Sequence, residues 1–98
     1  SMPVAEPIGV TAGAAGGILV GTLVRLAAKK TGAPFWLEVV CGTTGAVVGH
    51  YAASASVKLA VNAVMLDPIG AGLNLTITSP VSSIMHGVSV FNGYVNWW

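Results

Sequence analysis

The sequence predicts an all-α chain: a membrane-type antiparallel helical hairpin with a basic turn, followed by a third, C-terminal helix. Three observations predict it. The 98 residues are 54% hydrophobic and 7% charged, with a mean hydropathy of +0.80, where a soluble domain carries about 25% charged residues. Small residues recur at every fourth position in two apolar stretches. A short run holding Lys29, Lys30, Gly32 and Pro34 separates those stretches. So few charges cannot cover the apolar surface of a soluble monomer, so this surface has to meet lipid or other subunits, and the same composition excludes disorder.

The chain reads as one small domain. Residues 1–7, SMPVAEP, hold two prolines and predict an irregular N-terminal arm. The opening Ser1-Met2 reads either as the product of leader removal after a small residue or as an appended start. Residues 8–30 predict the first helix. Its 21 residues from Ile8 to Ala28 carry one charge, Arg25, and at 1.5 Å per residue they reach roughly 31 Å, the thickness of a hydrocarbon core. Arg25 lies near the end, where its stem can snorkel to the interface. Residues 31–34 form the basic turn: Lys29 and Lys30 suit a helix C-terminus, Gly32 the left-handed cap, and Pro34 a new start. Phe35 and Trp36 then fall where interfacial aromatics sit.

Residues 35–66 predict the second helix. It is too long for one simple span, so it either projects beyond the membrane or bends near Ala53–Ser56. Lys58 and Asn62 share one face of its later turns, and Pro68 ends it. The C-terminal segment, 67–98, is read as helical. GLNLTIT alternates like a short strand. Ser79 and Pro80 read as N-cap and first helical residue. Ile84, Val88, Phe91, Val95 and Trp98 then make a helical stripe that outweighs the hairpin signal of Asn92-Gly93.

Gly9, Gly13, Gly17 and Gly21 lie on one face of the first helix, widened by Gly16; Cys41, Gly45, Gly49 and Ala53 form a matching row on the second. Four glycines forgo about 4 kcal/mol of helix propensity in water. Close backbone packing of the small-xxx-small kind compensates for that. The rows meet each other across the turn or meet neighbouring subunits; spacing alone leaves both open. Arg25, Lys29 and Lys30 read either as a topology signal or as a contact for phospholipid head groups. His50 and His86 read as hydrogen-bonded interface histidines, since no carboxylate lies at helical spacing from either. Glu38 suits the first turn of its helix and can pair with Lys29 or Lys30, and Lys58 with Asp67 between subunits. Cys41 alone excludes an intrachain disulfide. Asn74-Leu75-Thr76 matches the short glycosylation acceptor pattern. No Ser/His/Asp set, phosphate loop or metal-ligand spacing is present, so no enzyme, cofactor or metal is expected, and a net charge of +1 offers no basic field for nucleic acid.

The stretch from Ile8 to about Val64, with VRLAAKKTGAPFW at its centre, resembles the pilins of type IV secretion and conjugation systems, to which archaeal DNA-import pilins are similar. The resemblance implies a subunit stored in the membrane with its basic turn cytoplasmic. The secretion and assembly machinery then extracts it into a helical pilus outside the cell, packed with phospholipid, with DNA as cargo only. Arg25, Lys29 and Lys30 would face the lumen near lipid head groups, and the two small-residue rows would carry subunit contacts. Residues 67–98 depart from the pattern, being longer and more polar than the family's end. A holin-like pore former and a structural membrane protein of a virus are the competing expectations.

Overall fold

The computed structural model describes residues 2–96. Among them every element is helical: α1 (Met2–Lys30), α2 (Phe35–Val64), α3 (Pro68–Leu73), a π-helical stretch (Asn74–Thr78) and α4 (Ser79–Asn96). The last three run on from one another, so the chain forms three rods in a bundle 48 Å long and 22 by 17 Å across.

α1 begins at Met2, so the irregular arm expected over 1–7 is instead the first turns of the helix. Pro3 lies in the first turn, where no backbone donor is required, and Pro7 removes only one internal bond. Glu6 on this early turn reaches Lys58 of α2, a tertiary contact that holds the segment helical. The Ala5–Lys30 part of α1, with mean hydropathy 1.6, is the one helix among the described residues long and apolar enough to cross a membrane.

α1 stops in a Schellman arrangement. Ala33 N–H reaches back to Ala28 O, Gly32 N–H to Lys29 O, and Gly32 takes the left-handed φ of +80° that the motif requires. The same pattern ends α2, with Asp67 N–H on Asn62 O and Leu66 N–H on Ala63 O. Here the left-handed position is held by Leu66, at φ 54°. α2 is continuous through residues 53–56 and ends two residues short of the expected boundary.

Asp67 caps α3 by accepting from Gly70 N–H at 2.9 Å, and that bond holds its carboxyl below the ordinary value of 3.8. The GLNLTIT stretch is not a strand: it has no strand to pair with among the described residues, and it is wound wider than an α-helix. Ser79 N–H reaches back five residues to Asn74 O. Pro80 has no N–H to continue the pattern, and Tyr51 Oη donates to the Leu75 carbonyl at 3.1 Å instead. The chain passes helically through Ser79, which is therefore not an N-cap, and α4 runs straight through Asn92-Gly93.

Contacts pair Gly9 with Lys58, Gly16 with Gly49 and Gly21 with Gly42, so α1 and α2 lie side by side and antiparallel. α4 packs antiparallel to α2, joining Ser79 to Ser54, Ser83 to His50 and Tyr94 to Gly42. The radial order of polarity is inverted. Buried hydrophobic side chains are few and small, Ala5, Val39, Ala46 and Ala55, whereas His50, Ser54, Lys58, Asn62, Asn74, Ser79 and Ser83 are all buried. Ile18, Leu19, Val48, Ile84 and Met85 point outward. The expected α4 stripe of Ile84, Val88, Phe91 and Val95 is exposed, and Trp98 lies outside the described residues.

Candidate functional site: a buried polar seam

On α2, His50, Ser54, Lys58 and Asn62 stand four residues apart and all are buried, so they form one row of the helix directed at the bundle interior. α4 answers with Ser79, Ser83 and Gly87, also buried, and with half-buried His86 and Tyr94. The seam between these rows runs the length of the molecule.

At one end, Lys58 Nζ meets Glu6 Oε1 at 3.0 Å; the lysine side chain is 0% exposed and the glutamate 37%. Thr78 Oγ1 lies 3.4 Å from the same ammonium and donates to Asn74 Oδ1 at 2.7 Å. Asn62 Nδ2 donates to Lys58 O at 2.9 Å. Lys58 thus has its ion-pair partner, Glu6, within the chain. Asn74 is fully buried, which closes the glycosylation pattern to an enzyme in this fold.

At the centre, Ser83 Oγ donates its one hydrogen to Ser79 O at 2.6 Å. It can therefore only accept from His50 Nδ1, 2.9 Å away, which assigns the hydrogen of neutral His50 to Nδ1 and leaves Nε2 with a lone pair. The His86 ring lies 4.9 Å from the His50 ring, tilted by 32°, and its Nε2 is buried with no hydrogen-bond partner. Ser54 Oγ and Ser79 Oγ are 3.4 Å apart.

At the other end, Arg25 sits 4.4 Å from the Tyr94 ring centroid and 3.8 Å, through Nε, from Glu38 Oε1. Glu38 is thus engaged by Arg25, where Lys29 or Lys30 was expected. Both lysines are exposed at the end of the rod.

The glycine row on α1 serves two purposes. Gly9 lies under the Lys58 stem; a Cβ on Gly13 would stand 2.7 Å from His50 Cε1, and one on Gly17 2.5 Å from His86 Nε2. These three glycines make the space in which three ionisable side chains sit. Gly16 and Gly21 instead bring backbones together: a Cβ there would lie 2.8 Å from Gly49 O and 2.9 Å from Gly42 O. On α2, Gly45 faces Val20 and Val24, Gly49 faces Gly16, and Ala53 also abuts Gly16. Cys41 is half-buried with a free thiol; Gly42, one position on, occupies the contact assigned to it.

Glu6, Ser83 and Tyr94 were not legible as seam residues, because each depends on which helix lies opposite. Lys58 and Asn62 were legible on one face; extending the same four-residue spacing back to Ser54 and His50 is the signal that finds the seam. Among the described residues no three His, Cys, Asp or Glu side chains converge as a metal site would require. No family model, curated protein or solved structure matches the chain.

Proposed function

We propose that this chain is the structural subunit, a pilin, of a helical filament of the conjugative, DNA-transferring kind, stored in the membrane as a helical hairpin with a third helix and assembled with lipid. The inversion of polarity carries the reading. In water an exterior of isoleucine, leucine and valine around an interior of lysine, histidine and serine has no driving force to hold it. In lipid, polar side chains turn inward and bond to one another, and small residues bring helices together. α1 supplies the apolar span, and the outward faces of α2 and α4 are similarly apolar.

Arg25, Lys29 and Lys30 gather at one end of the rod, beside the turn, where the first two signals of a pilin are needed: retention of that turn in the cytoplasm and contact with head groups in the filament. The small-residue rows join helices within the subunit, so copies would associate through the outward aliphatic faces, a heterologous contact repeated along an axis. DNA would be cargo, without specific recognition.

Electron microscopy of native material tests this. Uniform hollow filaments are expected, with Val48→Lys, on the outward face of α2, leaving the subunit folded and abolishing filaments. Small detergent-soluble oligomers with no filaments contradict the reading and favour a holin-like pore, for which the buried ionisable seam is the supporting observation.

A further inference from the structure

Along α1, Glu6 and Arg25 are 19 residues apart, about 28 Å of helix rise, close to the thickness of a hydrocarbon core. His50 and His86 lie between them, seated on Gly13 and Gly17. α1 and α4 leave two clefts open on this line. The first, about 620 Å³, is lined by Glu6, Thr78, His50, Ser82 and His86 among others. The second, about 380 Å³, is lined by Gly17, Ile18, Thr22, Arg25, Val90 and Tyr94 among others. Each exceeds by many times the ~30 Å³ a water molecule occupies. They approach each other at one place, where His86 Nε2 lies against Gly17.

We propose that this seam is a proton-transfer path across the membrane-embedded subunit, with His50 and His86 as its relay. The inference rests on the membrane-stored state proposed above. His50 is built to receive a proton: Nδ1–H is fixed on Ser83, so the lone pair on Nε2 is the open position. A proton from water in the first cleft adds there and makes the imidazolium. It passes to the neighbouring His86 ring, directly or through one water, and His50 returns to its neutral form. His86 takes the proton on Nδ1, gives up the one on Nε2 to water of the second cleft beside Gly17, and resets by ring rotation. One proton is taken up on the Glu6 side and one released on the Arg25 side, with no other bond changed. The charged groups facing the pair are Lys58, paired with Glu6, towards one end, and Arg25, paired with Glu38 and stacked on Tyr94, towards the other. The Arg25 charge at the second mouth opposes passage of metal cations, which cannot hop between rings.

The test uses the full chain in liposomes holding a pH-sensitive dye, with a potassium gradient and valinomycin as driving force. Flotation after alkaline carbonate washing reports insertion separately. The inserted wild-type chain should admit protons while retaining sodium and a small trapped dye. His50→Asn and His86→Asn, inserted to the same extent and equally helical by circular dichroism, should lose about a hundredfold of that flux, the scale at which a positioned proton carrier contributes. Inserted wild-type protein without proton flux overturns the relay and leaves the membrane reading standing. Sodium or dye leaking with the protons overturns it in favour of a wide pore. Unchanged flux in both histidine variants overturns it as well. Failure of the wild-type chain to float overturns both the relay and the membrane reading.

Discussion

The backbone seam between α1 and α2 and the polar seam, where α1 meets His50 of α2 and His86 of α4, start from the same row of glycines and end as opposites. Between α1 and α2, Gly16 and Gly21 meet the carbonyls of Gly49 and Gly42, and the missing side chains let main chain lie on main chain. Along the polar seam, Gly13 meets the ring of His50 on α2 and Gly17 the ring of His86 on α4, and the missing side chains leave room for polar groups and two open clefts. A glycine at every fourth position therefore does not by itself specify close helix packing. What stands opposite decides whether the space is closed by backbone or filled by a polar side chain.

One substitution made on both seams tests the contrast with the largest effect. A Cβ on Gly49 would stand 2.5 Å from Gly16 O, main-chain atoms that cannot yield without separating the helices. Gly49→Ala is expected to cost about 3 kcal/mol, at the upper end for overpacking. Gly13→Ala meets only the imidazole of His50, which has the first cleft beside it, and regains about 1 kcal/mol of helix propensity. Its net change should lie within about 1 kcal/mol. Unfolding of both variants in detergent, followed by circular dichroism, checks the difference; equal losses would erase the distinction between the seams.

The ion pair at the end of the polar seam sharpens the comparison at the next level. Lys58 is 0% exposed and Glu6 37%, so the partners are not equivalent. Glu6→Gln strands a fully buried ammonium and should cost about 3 kcal/mol, whereas Lys58→Met removes that charge and leaves a carboxylate on a partly exposed side chain, its Oε2 buried, for about 2 kcal/mol. The reverse order would mean that Lys58 has another exit to solvent.

The smallest effect belongs to the turn that joins α2 to α3, outside both seams. The Gly70 amide depresses the Asp67 carboxyl below its ordinary value. A depressed carboxylate contributes stability above its unfolded pKa and loses it as pH falls through the folded one. Fraying of α3 should therefore appear only below the ordinary value of 3.8, followed by the Gly70 amide proton shift on acidification. Asp67→Asn keeps the cap, since asparagine serves equally at that position, and should remove the pH dependence.

The all-helical character was legible because apolar residues, glycines and caps agree at every level: Lys29, Lys30 and Gly32 close α1 as their chemistry dictates. The interior was harder to read. His50, Ser54, Lys58 and Asn62 share a row by spacing alone, yet Ser79, Ser83 and His86 join them only after the π-helical stretch shifts the phase of α4. Glu6 was hidden behind Pro3, which costs little in a first turn, and Pro7, whose one lost internal bond is offset by the Lys58 contact. Cys41 and Gly42 differ by one position, about 100° around the helix, and no local signal in the sequence separates them. Ile84, Val88, Phe91 and Val95 form a stripe that in a soluble helix would face a core; here the same stripe faces out, and only the tertiary arrangement reveals it.

In the proposed membrane state the bundle is inside out, with lipid meeting its aliphatic surface and polar groups held within. Single spin labels at Leu19, Val48 and Ile84, in a Cys41→Ser background reconstituted in liposomes, measure it directly through collision with oxygen and with a water-soluble nickel complex. High oxygen and low nickel accessibility is expected at all three sites. High nickel accessibility there, with the protein associated with the vesicles, would contradict it.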